Sequence, residues 1–355
     1  MSLQDQIDDL VAQPRGLGGL SLDRSMLGIA LRMGTEGGKR FRPWLFARTY
    51  EELTRRAGAR PGTGAMAPEV LDRVGAAIEL LHTAFVVHDD VIDNDDTRRG
   101  RTSVPGWFRG STTAPSSAYP RAGAILTGDL ALAAAVRGMA TCGAPAHVTE
   151  ALLDLIDATL HDSAVGELAD VRLTLGGLVP EMDDAVSVAE LKTAAYSFVL
   201  PMRAAAVLAG LPDAAVETVG DIGRSLGIAF QMRDDLLGTF APADVLGKDP
   251  DGDLREGKRT PLVVHAASTR EWRRIEPHLG DPHLTRAQAD EIRHALVDAG
   301  SPAFVEQLIA RHIRLARRHA AALGLEQSVV DALTSTWHPI PVPTPPVSST
   351  SVGVA

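Results

Sequence analysis

Apolar residues recur every three or four positions along most of the chain, a spacing that predicts amphipathic helices. The clearest helix begins at Pro68, a favourable first helical residue, and keeps this spacing as far as Asp93. The same pattern predicts helices over 123–140, 147–174, 188–210, 213–237, 258–275, 285–298 and 302–323. The alternation of apolar and polar residues that marks strands is not evident. We therefore predict an all-α protein.

Two stretches interrupt the helical pattern. Residues 101–121 combine Pro, Gly, Ser and Thr and are interpreted as a loop, and the tail 338–355 is too rich in Pro and Ser to build a packed core. Between residues 20 and 335 no long linker is recognisable. We expect one helical domain over 1–337, followed by a disordered tail over 338–355.

Composition narrows the functional classes. Hydrophobic residues make up 45% of the 355 positions, enough for a large core, and the net charge of −10 argues against a nucleic-acid coat protein. A bound polyanion must therefore meet a local basic cluster. The one cysteine, Cys142, excludes an internal disulfide and fits a reducing compartment, so we expect a cytoplasmic protein. We recognise neither a signal peptide nor an apolar stretch near the roughly 20 residues that cross a bilayer.

The strongest polar motif closes the helix that begins at Pro68. Asp89, Asp90 and Asp93 are three or four residues apart, so their carboxylates share one helical face. They also occupy the C-terminal end of that helix, where the helix dipole disfavours negative charge. Oxygen-only ligands favour a hard cation such as Mg²⁺. The alternative is an acidic helix end that is simply solvated.

A second acidic pair follows more than a hundred residues later. Asp234 and Asp235 stand three and four residues after Gln231, so the three side chains project from one helical face. Two such faces on two helices form a clamp for several divalent ions. Together with nearby basic residues, they suggest a diphosphate held between metal ions.

Basic residues cluster in four places despite the acidic total. These are Lys39 and Arg42 in GGKRFRP, the pair Arg98-Arg99, Lys192 beside Thr193, and the segment from Lys248 to Lys258. Most charge clusters are only solvated surface. Here the pairing with two acidic motifs favours binding sites for two separate polyanions.

These residues resemble the polyprenyl synthetase family, the trans-isoprenyl diphosphate synthases. The matching motifs are GGKRFRP (37–43), ELLHTAFVVHDDVIDNDDTRRG (79–100), KTA (192–194), FQMRDDLLG (230–238) and GKDPDGDLREGKRTP (247–261). The resemblance implies an all-helical bundle around a deep central cavity, usually as a homodimer, with small isoprenyl diphosphates as substrates. It also implies that Mg²⁺ assists ionisation of an allylic diphosphate, followed by attack of the isopentenyl double bond and loss of a proton.

The resemblance assigns roles to matching positions. The Mg²⁺ ligands would be Asp89, Asp90, Asp93, Asp234 and Asp235, which together with Arg98 and Lys192 form the implied catalytic set. The allylic diphosphate would be bound by Arg98, Lys192, Lys248 and Lys258, with Thr193 and Gln231 near the developing cation. Isopentenyl diphosphate would be held by Lys39, Arg42, His82 and Arg99.

Two positions depart from the family pattern. Gly238 replaces a third aspartate that many members carry in the second acidic motif. Glu167, in VGELAD, stands where relatives often have glutamine, and its role is open. Neither change removes a group that the reaction requires.

Product length is expected to depend on the residues one helical turn before the first acidic motif. Phe85 lies four residues before Asp89, and Ala84 lies five before it. In this family a bulky residue there forms the floor of the pocket for the growing chain. We expect geranylgeranyl diphosphate, with farnesyl diphosphate as the next candidate and a longer chain third. The alternative is that Phe85 is an ordinary core residue.

Three other functions compete with a synthase. Two Glu-x-x-His pairs, Glu79 with His82 and Glu291 with His294, have the spacing of di-iron helical bundles. A class I terpene cyclase shares the acidic motif but needs no second diphosphate site. A non-catalytic subunit that modulates another synthase is the third alternative.

Overall fold

The structure is a computed structural model that describes residues 2–12, 20–56, 66–98, 100–112, 118–175, 180–242, 249–325, 328–335 and 337. The tail 338–355 lies outside the described residues. Helices make up nearly all of the regular structure, which confirms the predicted all-α class.

The first half of the chain contributes seven helices and one short hairpin among the described residues. In order these are α1 (Leu3–Val11), α2 (Ser21–Thr35), α3 (Phe41–Arg56), α4 (Pro68–Ile92), β1 (Thr97–Arg98), β2 (Arg101–Thr102), α5 (Val104–Gly110), α6 (Ala118–Ala140) and α7 (Ala146–Thr174). Strands β1 and β2 pair antiparallel.

The second half begins with a helix that changes its winding. It runs as α8 (Met182–Val188), a π-helical segment (Ala189–Val199) and α9 (Leu200–Leu208). It is followed by α10 (Asp213–Phe240), α11 (Gly252–Glu256), α12 (Pro261–Ala267), α13 (Trp272–Ile275), α14 (Arg286–Asp298), α15 (Ser301–Ala322) and α16 (Ser328–Thr334).

Two of the predicted segments need correction. The stretch 258–275 is not one helix but α12 and α13, which are separated by turns. The stretch 101–121 is not a plain loop, because it holds β2, α5 and the start of α6. Helix α5 forms because Ser103 caps its first turn by accepting a hydrogen bond from the Gly106 amide at 3.1 Å, and because Phe108 is buried beneath it.

The core is organised around two long helices. Helix α4 packs against α6, α1 and α3, and its buried face joins a large hydrophobic cluster that extends into α7 and α9. Helix α10 packs against the π-helical segment and α15. The C-terminal end of α4 and the second half of α10 carry the two acidic motifs, so the two main core helices also supply the polar site.

Among the described helices, α6 is long and apolar enough, by length and composition only, to cross a membrane. This corrects the expectation that no apolar stretch approaches such a length. Half of its most apolar part is buried inside the protein, and α6 makes extensive contact with α4. Core packing accounts for its apolar composition.

Candidate active site

The first acidic motif lies at the end of α4, beneath the β1–β2 hairpin. The helix ends just before Asp93, and Asn94 then adopts a left-handed conformation (φ 56°) that turns the chain back. The hairpin brings Arg98 over the motif, where its Nη2 donates to Asp89 Oδ2 and its Nε to Asp90 Oδ1, both at 2.6 Å. One planar guanidinium therefore joins two carboxylates.

Two lysines from distant parts of the chain complete this cluster. Lys192, on the π-helical segment, places its Nζ 3.2 Å from Asp89 Oδ1. Lys258, just after α11, places its Nζ 3.2 Å from Asp93 Oδ2. Motifs separated by more than a hundred residues thus meet in one place, as the sequence analysis required.

Neighbouring cations and burial shift the pKa values of Asp89 and Asp90 in opposite directions. Burial opposes ionisation of Asp89, but Lys192, Arg98 and Lys258 outweigh it and lower the pKa of that carboxyl to about 2. At Asp90 burial prevails over Arg98 and raises the pKa to about 6. One motif thus holds one strongly acidic carboxyl and one weakly acidic carboxyl.

The second acidic motif is arranged through a chain of hydrogen bonds. The Thr193 hydroxyl donates to Gln231 Oε1 at 2.8 Å, and Gln231 Nε2 donates to Asp235 Oδ1 at 2.7 Å. Desolvation by the surrounding protein and repulsion from other carboxylates, Asp234 first, raise the pKa of Asp235 to about 8, against the opposing effect of the Gln231 hydrogen bond. Asp235 therefore holds a proton at neutral pH in the metal-free protein.

The missing third aspartate of this motif has a structural explanation. A β-carbon at Gly238 would lie 2.8 Å from Asp253 Oδ2, so the carboxylate of Asp253 occupies the space that a side chain at position 238 would enter. Asp253 also lies 3.8 Å from Lys258 Nζ, which in turn contacts Asp93. This lysine thereby bridges the first motif and Asp253, which borders the second motif at Gly238. The sequence analysis did not single out Asp253, although it lies inside the quoted GKDPDGDLREGKRTP motif.

Lys192 has two further carboxylate partners, which the sequence analysis did not connect with it. Glu167 Oε1 lies 3.0 Å and Asp170 Oδ2 lies 2.8 Å from Lys192 Nζ. Both acids are on α7, three residues apart, and the i, i+3 spacing in VGELAD was the available signal. Burial and the neighbouring acids raise the pKa of Glu167 despite its contact with Lys192.

Arg42 and His82 come together through a tyrosine that sequence reasoning missed. Arg42 Nη2 donates to Ser197 Oγ at 2.8 Å and to the Tyr196 hydroxyl at 3.3 Å, and its guanidinium lies 4.8 Å from the Tyr196 ring centroid. The His82 ring stacks on the same tyrosine at 5.9 Å. Tyr196 lies in the π-helical segment, four residues after Lys192.

The structure does not place the other implied diphosphate ligands beside Arg42 and His82. Lys39 is exposed in the turn before α3 and lines an open cavity of about 410 Å³ together with Arg40 and Trp44. Arg99 and Lys248 lie outside the described residues.

The two residues expected to set product length occupy different surroundings. Phe85 is partly buried and meets the Tyr196 ring with centroids 4.9 Å apart. Ala84 is 1% exposed and belongs to the main hydrophobic cluster. Phe85 and Tyr196 thus both pack against that cluster and touch each other at its edge.

The donor set suits a hard divalent cation. Carboxylate oxygens predominate, and thiolates are absent from this part of the described structure. In the described ranges no three His, Cys, Asp or Glu side chains converge enough to hold a metal ion as they stand. Arg98, Lys192 and Lys258 occupy the first motif, so a metal ion would have to displace these ion pairs.

The di-iron alternative is wrong for both pairs. Glu79 is buried and accepts a hydrogen bond from Arg40 at 3.0 Å. Glu291 is paired with Arg274 at 2.7 Å, near the surface and in a different region of the bundle. These carboxylates are occupied by arginines and do not converge.

Comparison with known proteins agrees with this geometry. The family model of polyprenyl synthetase matches residues 25–296. A geranylfarnesyl diphosphate synthase from Natronomonas pharaonis is 31% identical over 283 residues, covering 77% of this chain and 76% of the relative. A (2E,6E)-farnesyl diphosphate synthase from Mycobacterium bovis is 30% identical over 270 residues, covering 74% and 70%.

A solved structure shows the same fold. The geranylgeranyl pyrophosphate synthase from Corynebacterium glutamicum, complexed with isoprenyl diphosphate and magnesium, superposes with a TM-score of 0.81 at 26% identity and covers 94% of this chain and 95% of that one. The family match, which spans most of the chain, confirms the resemblance inferred from the motifs and the expected enzyme class. The chain belongs to the polyprenyl synthetase family and is a prenyltransferase.

Proposed function

We propose that this enzyme condenses isopentenyl diphosphate with an allylic diphosphate to give geranylgeranyl diphosphate and inorganic diphosphate. The observation that carries the proposal is the meeting of Arg98, Lys192 and Lys258 with the first acidic motif. Lys258 also lies near Asp253, which borders the second motif at Gly238. Farnesyl diphosphate is the alternative product, followed by a longer chain such as the one named for the Natronomonas relative. A short- to medium-chain product fits the geranylfarnesyl, geranylgeranyl and farnesyl diphosphate synthases among the relatives.

Mg²⁺ is the proposed cofactor. Asp89, Asp90, Asp93, Asp234 and Asp235 would bind it, as their hard oxygen donors and shared faces suggest. When bound, the metal neutralises charge that develops on the departing diphosphate. The magnesium named in the Corynebacterium complex supports this choice.

Protein cations would complete the grip on the allylic diphosphate. Arg98, Lys192 and Lys258 lie close enough to the acidic motifs to exchange carboxylate partners for phosphate oxygens, and Lys248 is proposed to join them. Thr193 and Gln231 present a hydroxyl and an amide oxygen near the carbocation that forms as the allylic carbon–oxygen bond breaks.

A second diphosphate would be bound by the remaining basic residues. Lys39, Arg42, His82 and Arg99 are the proposed ligands of isopentenyl diphosphate. Its double bond attacks the allylic carbon, a carbon–carbon bond forms, and a proton then leaves to the departing diphosphate. No side-chain nucleophile takes part.

The contact of Phe85 with Tyr196 supports the proposed product length. The two rings meet one turn below Asp89, so together they can form a wall against which the growing chain stops. Ala84 is small and packed in the core, which leaves Phe85 as the bulky residue of this pair.

The test is product analysis. Purified protein receives Mg²⁺ and isopentenyl diphosphate with dimethylallyl, geranyl or farnesyl diphosphate in parallel, and the dephosphorylated alcohols are sized by chromatography. We expect a twenty-carbon product that disappears with EDTA. A hydrocarbon formed without isopentenyl diphosphate would instead identify a terpene cyclase. An inert chain would favour a non-catalytic subunit.

The apolar outer faces of α6 and α7 support a homodimer. Exposed aliphatic side chains on these helices are Ile125, Leu126, Leu130, Val165, Leu168 and Val171, and Leu175 follows directly after α7. We propose that a second copy covers them, in a cytoplasmic enzyme whose single helical domain spans 1–337. Light scattering should give twice the mass of the chain, and a Leu126→Arg, Leu168→Arg variant should give a monomer. A monomeric wild type would contradict the dimer.

A further inference from the structure

Lys192 is shared among three carboxylates from two helices. Its Nζ lies 2.8 Å from Asp170, 3.0 Å from Glu167 and 3.2 Å from Asp89. Because the proposed function assigns Lys192 to the allylic diphosphate, every one of these carboxylates competes with phosphate oxygens for one ammonium. The strength of that competition sets how tightly diphosphate is held.

Close packing fixes Glu167 beside this lysine. A β-carbon at Gly166 would lie 2.2 Å from the Lys192 backbone nitrogen, so α7 and the π-helical segment touch at the residue just before Glu167. The Glu167 side chain is 22% exposed, which leaves it partly shielded from solvent. Its hydrogen-bond partner is the Lys192 ammonium.

Among the three carboxylates around Lys192, Glu167 is one for which a neutral replacement keeps the contact. Asp89 belongs to the first acidic motif, and Asp170 lies one turn further along α7. Glu167 stands where a glutamine would make the same hydrogen bond to Lys192 without a negative charge. The charge, rather than the hydrogen bond, is therefore what a glutamine at this position would lack.

We propose that Glu167 is a positioning residue whose negative charge holds Lys192 against α7 and weakens the binding of inorganic diphosphate, so that this product leaves readily. The inference rests on the proposed function and deepens it. In the loaded enzyme Lys192 turns from Glu167 to the phosphate oxygens. When the diphosphate departs, Glu167 recovers the ammonium.

The test is binding of inorganic diphosphate at a fixed Mg²⁺ concentration, measured by titration calorimetry without turnover. Glu167→Gln is expected to bind diphosphate about fivefold more tightly than the wild type, the effect of removing one partly exposed ion-pair charge. Glu167→Asp keeps the charge and should stay within about twofold of the wild type. The matched control is Glu190→Gln, since Glu190 lies two residues before Lys192 but pairs with Arg224 at 2.8 Å.

Kinetics supply a second readout that a purely structural role would not produce. Inorganic diphosphate should inhibit Glu167→Gln at about fivefold lower concentration, and the KM of the allylic substrate should fall. The single-turnover rate of the chemical step should change little, because the proposed role of Glu167 is to hold Lys192 and not to contact the reacting carbon atoms.

Two results would overturn the inference. Unchanged diphosphate affinity in Glu167→Gln would mean that the charge does not compete for Lys192, and weaker binding would mean that Glu167 is itself a metal ligand. Failure of the wild type to bind diphosphate with Mg²⁺ would overturn the proposed function as well, and so is distinguishable from failure of the inference alone.

Discussion

The two acidic motifs look alike in sequence, yet the protein shifts the pKa of Asp89 in the first and of Asp235 in the second in opposite directions. At the first motif, Arg98, Lys192 and Lys258 keep Asp89 ionised, with a pKa of about 2. At the second, desolvation and neighbouring carboxylates raise the pKa of Asp235 to about 8. An aspartate pair in the sequence therefore does not by itself determine a metal site. The charges that tertiary packing places beside the pair decide whether its carboxyl groups are ionised.

The difference in pKa suggests that the two motifs would bind the proposed Mg²⁺ in different ways. Asp89 of the first motif is ionised in the metal-free protein, but it would have to exchange protein cations for the proposed Mg²⁺. Asp235 of the second motif would release a proton on binding a metal ion. On the proposed assignment, metal binding would then be coupled to a movement of Lys192 and Lys258 toward the diphosphate.

Removing a carboxylate of the first motif should have the largest effect. Asp89→Ala deletes a proposed metal ligand and leaves Lys192 and Arg98 without one partner, so kcat/KM for the allylic substrate should fall about 1000-fold or more. Steady-state assays of chain extension measure this. Asp96→Asn is the control, since Asp96 pairs with Arg109 at the surface. A loss below tenfold for Asp89→Ala would remove this residue from the metal site.

Each acidic motif has a phenylalanine one helical turn before it, and replacing these two residues should affect product length differently. Phe85 precedes Asp89 by four residues and contacts Tyr196, whereas Phe230 precedes Asp234 by four and packs in a cluster with Phe41 and Phe198. Phe85→Ala should lengthen the main product by at least one five-carbon unit, because the wall is removed. Phe230→Leu should leave the product length unchanged.

Chromatography of the dephosphorylated products distinguishes the two variants. An unchanged product distribution in Phe85→Ala would make this residue ordinary core. A longer product from Phe230→Leu would show that the second motif also borders the growing chain.

The raised pKa of Asp235 predicts a pH-dependent stability in the metal-free protein. The unfolded carboxyl titrates near 3.8 and the folded one near 8, so the unfolded state binds fewer protons between these values. The contribution of this group to the free energy of unfolding is therefore full below pH 4 and is lost as the pH rises to 8. The melting temperature of the wild type should fall by several degrees more than that of Asp235→Asn between pH 6 and pH 8.5.

Calorimetric scans in the presence of EDTA test this. Asp234→Asn is the matched control, because Asp234 is exposed and its loss should leave much of the pH dependence in place. If Asp235→Asn keeps the full wild-type dependence, the proton resides on another group.

Restoring the third aspartate of the second motif should have the smallest effect. Gly238→Asp places a carboxylate against Asp253, so we expect a loss of about 1 kcal/mol in the free energy of unfolding and no gain in Mg²⁺ affinity. Gly238→Ala, which adds bulk without charge, separates crowding from repulsion. Tighter Mg²⁺ binding by Gly238→Asp would show that Asp253 leaves room for a third ligand.

Local sequence signals predicted most of the long helices, but not α2 or α3. Helices α4 and α7 begin and end within about two residues of the predicted bounds, because apolar spacing and Pro68 act over a few turns. The hairpin and α5 were missed, because short elements depend on caps and buried contacts rather than on periodicity. The turns between α12 and α13 were missed for the same reason. The π-helical winding inside the predicted helix 188–210 was missed as well, and so were α1, α2 and α3.

The sequence by itself was enough to predict which acidic and basic residues form motifs and which family they indicate. Helical spacing alone places Asp89, Asp90 and Asp93 on one face, and the order of motifs alone indicates the family. These are properties of residues close together along the chain, which makes them readable without a fold.

Only the tertiary structure decided which charges meet. Lys192 reaches Glu167 because Gly166 lets α7 touch the π-helical segment, and Arg42 reaches Tyr196 across 154 residues of chain. Tertiary packing also places the Asp253 carboxylate in the space that a side chain at position 238 would occupy. Such contacts arise from the fit of distant helices, and the pKa values of the site depend on that fit.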